Sequence, residues 1–218
     1  MAAAARPRWY TWREVEHLSE DLLRRAGAWS DEPAATDIES LLELHLGVRV
    51  DYAADTDPDV LGYTEFRATP EVKVAQWLTE AASGPGASPG ILGRWRATLA
   101  HEAGHIILHA GARTRPRAWA KLTGAMLEDF DPGEAAALRT IEYQANMMMV
   151  ALLMPERRVV RCLLGMTEGR EVFPPLAGED GVALELELGL ARTFSVSREM
   201  ARIRMAALGM RKRGDGAR

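Results

Sequence analysis

The chain has one cysteine, Cys162, in 218 residues. No internal disulfide can form, so packing alone must hold the fold, as is usual in a reducing compartment. Cys162 lies in an amphipathic segment, which makes it a core residue rather than a nucleophile. Long apolar runs are missing as well. No segment reaches the roughly 18 consecutive apolar residues needed to cross a bilayer, and the methionine-rich run 147–154 is far shorter. The alanine run Met1–Ala5, followed by Arg6-Pro7-Arg8, lacks an apolar core of signal-peptide length. A soluble, cytoplasmic protein with no membrane partner is the expectation. An excess of positive charge is absent too: 27 Lys and Arg face 31 Asp and Glu, for a net charge of −4 and a pI near 5.8. No global pull toward nucleic acid follows. What is present is a 47% hydrophobic content, enough to bury a substantial core.

The most informative stretch is Thr98-Leu-Ala-His-Glu-Ala-Gly-His-Ile-Ile-Leu-His109. His101 and His105 are four apart, so on a helix they leave one face a turn apart. Two imidazoles so placed can bind one zinc ion. Glu102 is rotated about 100° from His101 and falls off that shared line. It is placed to hold and deprotonate a water at the metal. Trp95, Leu99, Ala103, Ile106, Ile107 and Ala110 form an apolar stripe, with Thr98, His101, Glu102, His105 and His109 on the opposing side. Gly111 is the expected stop. Gly104 costs about 1 kcal/mol against Ala inside a helix, which implies a close neighbour, a strand or the next helix. The bland alternative is a chance motif on a solvated helix. A third ligand would discriminate.

Asp131-Pro-Gly-Glu134 reads as the start of a second helix, with Asp131 as N-cap. Leu138, Ile141, Ala145, Met148, Met149 and Leu152 are its apolar stripe. Glu142 and Asn146 stand beside that stripe. A carboxylate at the edge of a buried run is costly unless paired or metal-bound. Glu142 as third zinc ligand removes that cost; a salt bridge to Arg139 or to another helix would also remove it.

Three blocks, Arg96–His109, Glu142-Tyr-Gln-Ala-Asn146 and Ala151-Leu-Leu-Met-Pro155, resemble in order and spacing the ImmA/IrrE family of zinc metallopeptidases. The resemblance covers roughly residues 37 to 164 and, more weakly, the region to 210. It implies that His101, His105 and Glu142 bind one Zn2+ per chain and that Glu102 is the catalytic base. It also implies a protein substrate, a helix-turn-helix transcriptional repressor whose cleavage relieves repression, so that nucleic acid is involved only indirectly. Two departures stand out. Ala103 replaces a larger aliphatic residue, and the segment from Ala112 to Phe130 is long for the connection between the metal-bearing helices. Neither removes a ligand.

Elsewhere, Trp12–Ala26 has helical spacing and ends at Gly27. Thr36-Asp-Ile-Glu39 reads as a capping box opening a helix that ends at Gly47. His17 and His45 have no partners at metal spacing. Val48–Tyr52, Val60–Phe66 and Glu71–Ala75 read as three strands. Ser83–Gly93 is a Gly- and Pro-rich connector, and Arg94 and Arg96 then sit at the start of the metal helix, where cations oppose the dipole. An acidic neighbour or a substrate contact would answer them. Arg113, Arg115, Arg117 and Lys121 form a basic run best read as a solvated loop with a short helix. Arg157–Leu164 is a further short helix. Val182–Phe194 and Ser197–Leu208 form a helical pair resembling a helix-turn-helix, with Arg198, Arg202 and Arg204 on its second helix.

The expected fold is therefore α+β: a small antiparallel three-stranded sheet packed with a zincin-like pair of metal-binding helices, followed by a C-terminal helical pair. The expected division is 1–165 for the peptidase domain, 166–210 for the helical appendage and 211–218 for a disordered tail. His109, Tyr143 and Asn146 are candidates for supporting the ligands or stabilising an oxyanion. The rival function is a catalytically degenerate zinc fold acting as a repressor-binding or DNA-binding module.

Overall fold

The computed structural model describes residues 8–110, 132–167 and 180–209. Eight helices and one three-stranded sheet occur among them. The α+β class expected from the sequence is the class observed.

Helix α1 (Trp12–Arg25) opens on a capping box: Thr11 accepts from the Glu14 backbone, and Glu14 reaches back to Thr11. Gly27, at φ 64°, takes the left-handed conformation that ends it. Helix α2 (Ile38–Ser40) runs on into one π-helical turn (Leu41–His45). Its cap is Asp37, whose side chain accepts from the Ser40 backbone at 3.0 Å, one residue later than the Thr36 box expected. Thr36 is otherwise engaged: its hydroxyl donates to the Leu152 carbonyl at 2.8 Å.

Strands β1 (Arg49–Ala54), β2 (Gly62–Glu65) and β3 (Glu71–Ala75) form a sheet in the order β1-β3-β2. β2 pairs antiparallel with β3, but β1 pairs parallel with it. The sheet is thus mixed, where all-antiparallel pairing was expected. Burial gives the reason. β3 is the most buried strand: Val72 and Val74 fill one face, and on the other Glu71 and Ala75 are buried while Lys73 pairs with Asp51 of β1, so it takes the centre and separates β1 from β2. The more exposed β1 and β2 become edges.

Helix α3 (Gln76–Ser83) follows β3 without a turn and was not foreseen, because Leu78 is its only buried residue and the segment has little periodicity. Helix α4 (Pro89–His109) begins earlier than the Gly- and Pro-rich sequence suggests. Ser88 caps it, accepting from the Ile91 backbone, and Pro89 holds the first helical position. Arg94 and Arg96 therefore lie in the second turn, beyond the reach of the end dipole. The Gly111 stop and the Asp131 cap fall outside the described residues, as do the basic run and the final tail.

Helix α5 (Pro132–Leu153) packs along α4, and Gly104 is where they meet. A Cβ there would lie 2.8 Å from the Ala145 carbonyl oxygen, so only glycine permits this approach. Pro155 ends α5 and leads into α6 (Glu156–Met166). Helices α7 (Asp180–Phe194) and α8 (Arg198–Ala207) turn tightly at Ser195, which sits at φ 52°. Ser197 caps α8 as expected, accepting from the Met200 backbone at 3.1 Å. Leu186, Leu190, Phe194, Met200 and Met205 join the same buried cluster as Val15 of α1, Leu99 of α4 and Met148 of α5. One core thus spans residues on both sides of position 165. Among the described residues no helix is long and apolar enough to cross a membrane.

Candidate metal centre

His101 and His105 leave α4 a turn apart, as their spacing requires, and Glu142 reaches them from α5. The His101 and His105 Nε2 atoms are 3.0 Å apart, and the Glu142 carboxylate lies 3.2 Å from one and 3.4 Å from the other. Three donors about 2.0–2.1 Å from one tetrahedral ion would stand about 3.3–3.4 Å from each other. The observed separations come within about 0.3 Å of that requirement, so only a small adjustment of the imidazoles is needed. His101, His105 and Glu142 also form the one group of three potential ligands that the described residues bring together. Arg139, the alternative partner for Glu142, is not the one it takes.

Each imidazole is held from behind. His101 Nδ1 lies 3.1 Å from Asn146 Oδ1, and His105 Nδ1 lies 3.3 Å from His109 Nδ1. In the tautomer that leaves Nε2 free for a metal, Nδ1–H donates in both contacts. The second contact continues. Burial pulls the His109 imidazole down to about 4, against the Gln144 hydrogen bond, so it is neutral at neutral pH. Accepting at Nδ1, it carries its proton on Nε2 and donates to Gln144 Oε1 at 3.0 Å. Gln144 Nε2 in turn donates to the Arg8 carbonyl at 2.7 Å. Every hydrogen in this chain points the same way, and the Arg8 carbonyl fixes its direction.

Glu102 is 3% exposed, and its Oε2 accepts from the Thr64 hydroxyl of β2 at 2.8 Å. Burial pushes its carboxyl up, against the opposing pull of His101 and His105. Burial would also raise Glu142, but hydrogen bonds from both imidazoles outweigh it and hold the carboxyl down at about 2. His101 is driven up in the reciprocal way: burial lowers it, but Glu142 and Glu102 prevail.

A cleft of about 350 Å³ opens over this centre, lined by Leu61, Gly62, Arg94, Ala97, Thr98, His101, Glu102, Glu142, Asn146 and Met149. Of the residues singled out in the sequence, His101, Glu102, His105, Glu142 and Asn146 converge here. His109 sits behind His105 and does not line the cleft. Tyr143 is turned away, 46% exposed and stacked on Trp9 with ring centroids 6.1 Å apart. Thr64, Gln144 and the Arg8 carbonyl were missed. The alternation of β2 put Thr64 inward beside Gly62, a readable signal; nothing in the sequence ties Arg8 to α5.

A mixed sheet against a His-Glu-x-x-His helix, itself packed on a second helix that carries Glu142, is an arrangement of metallopeptidase type. Residues 92–206 match the peptidase M78 family, described as the IrrE N-terminal-like domain. That is just over half the chain, and the protein belongs to this family. A search of curated proteins finds no match.

Proposed function

We propose that the protein is a zinc-dependent endopeptidase that hydrolyses a peptide bond in a protein partner. The observation that carries this reading is the tetrahedral spacing of His101, His105 and Glu142, with the buried Glu102 carboxylate beside it in an open cleft. A zinc ion held there would supply a Lewis acid that polarises the peptide carbonyl and acidifies water. The chain's own groups do the rest. Thr64 anchors one oxygen of Glu102 and leaves the other for the attacking water. Glu102 takes a proton from that water and later delivers it to the departing amine. Asn146 and His109 hold the two imidazoles in register. β2 is an edge strand, and Leu61 at its entry and Gly62 within it line the cleft. An extended peptide pairing with that edge would lie across the centre.

The resemblance noted in the sequence points to a helix-turn-helix repressor as the substrate, with derepression as the outcome. The DNA-binding alternative meets an obstacle in α8. Arg204 is buried, pairs with Glu16 at 2.6 Å and donates to the Met154 carbonyl at 2.8 Å. Arg202 pairs with Glu199, and Arg198 with Glu187. Arg204 is therefore unavailable to a DNA backbone, and Arg198 and Arg202 already face carboxylates at the surface. Incubating the zinc-loaded protein with a candidate repressor and locating the cut by mass spectrometry tests the proposal. A cut by wild type and none by Glu102→Gln supports it, and an intact repressor with both argues for binding alone.

A further inference from the structure

Arg94 and Arg96 pose the same question in the sequence, and the structure answers only one of them. Arg96 donates to the Thr36 carbonyl at 2.7 Å and lies near Asp37 and Glu39. Arg94 is exposed, and no acidic side chain among the described residues pairs with it. It nevertheless lines the metal cleft. It also lines a second depression, formed with Ser88, Gly90, Ile91, Gly93, Ala97 and Ser197, that continues the groove beyond it. That depression contains no acidic residue, and the carboxylates in the metal cleft, Glu102 and Glu142, are both engaged at the centre.

The register of β2 against α4 places Arg94 along the path of a bound chain. Gly62 abuts Thr98, where a Cβ would lie 2.6 Å from Thr98 Cγ2, and Thr64 bonds Glu102. Two strand residues advance about 6.7 Å and four helical residues about 6 Å, so the two elements keep step. One further step back along α4 reaches Arg94, level with Val60 just ahead of β2, and Leu61 shares its part of the cleft. From His101 to Arg94 the helix rises about 10.5 Å. That is the length of about three residues of extended peptide.

We propose that Arg94 is a specificity-determining residue that binds the carboxylate of an Asp or Glu side chain about three residues from the bond aligned at the metal centre. This rests on the peptidase reading for its alignment but is tested by binding. The probe is a set of fluorescently labelled extended peptides, N-acetylated and C-amidated. They are identical except that Asp or Glu replaces Asn or Gln at successive positions. Anisotropy titrations use full-length, zinc-loaded Glu102→Gln protein, with and without a second substitution at Arg94. At one position the acidic peptide should bind about five- to tenfold more tightly than the neutral one. Arg94→Gln should erase that ratio, Arg94→Glu invert it and Arg94→Lys keep part of it. Equal binding of acidic and neutral peptides, or a ratio unchanged in Arg94→Glu, overturns the assignment. So does a preference that appears only with a free C-terminus, since the group bound would then be the terminal carboxylate. Incubating the tightest peptide with wild-type protein separates the two levels: binding without cleavage contradicts the peptidase reading and leaves the Arg94 contact standing.

Discussion

Two helix pairs in this protein carry charged side chains, and they use them in opposite ways. In α7–α8 every described arginine of α8 ends on a partner: Arg204 on Glu16 and Met154, Arg202 on Glu199, Arg198 on Glu187. In α4–α5 the polar groups converge. Two imidazole nitrogens and a carboxylate point at one spot, and their far sides are held by Asn146 and by the His109–Gln144 chain. The first arrangement neutralises charge and builds scaffold. The second concentrates donors where a cation would complete them. Basic residues on a helix therefore say little until their partners are known, whereas support from behind is itself a mark of a site.

Substitutions can sharpen that contrast. The largest effect is expected from Glu102→Gln, which should lower hydrolysis by about 10²–10⁴-fold while zinc content stays at the wild-type level. Stopped assays beside metal analysis check both halves. On the scaffold side, Arg204→Ala should cost about 3 kcal/mol, because Glu16 is left buried without its partner. Denaturant unfolding measures this, and zinc affinity should hardly move in the protein that remains folded. Gly104→Ala sets two effects against each other. Helix propensity favours Ala by about 1 kcal/mol, but its Cβ would meet the Ala145 carbonyl at 2.8 Å. Separation of α4 from α5 should win, lowering stability by about 1–2 kcal/mol and weakening zinc binding. A raised melting temperature with unchanged zinc affinity would show that the helices have slack. Smallest is Gln144→Leu, which interrupts the chain from His105 to the Arg8 carbonyl. Zinc affinity should fall about 10-fold in competition with a chelating dye, with little change in melting temperature. A stability loss with intact affinity would make Gln144 scaffold instead.

The legible part of the molecule was its local part. Helix spacing gave His101, His105 and the apolar backs of α4 and α5. Gly104 announced the close approach that Ala145 makes. Glu142 was readable because a carboxylate beside an apolar run needs a partner. The parallel pairing of β1 with β3 was hidden, since alternation within a strand does not say which strand takes the centre. The Asp37 cap was displaced from Thr36 by a hydrogen bond to Leu152, more than a hundred residues away. The Arg8 carbonyl owes its place behind the centre to a tertiary contact of the same kind, which no window of sequence contains, whereas the inward face of Thr64 was readable from the alternation of β2.

The function proposed for this protein requires that His101, His105 and Glu142 hold one metal ion between α4 and α5. Metal analysis of purified wild-type protein beside Glu142→Ala, both supplied with zinc and then desalted, tests it most directly. One zinc per chain is expected in the wild type and little or none in the variant, with circular dichroism showing the variant still folded. A wild type that retains no zinc, or a variant that retains as much as the wild type, would contradict it.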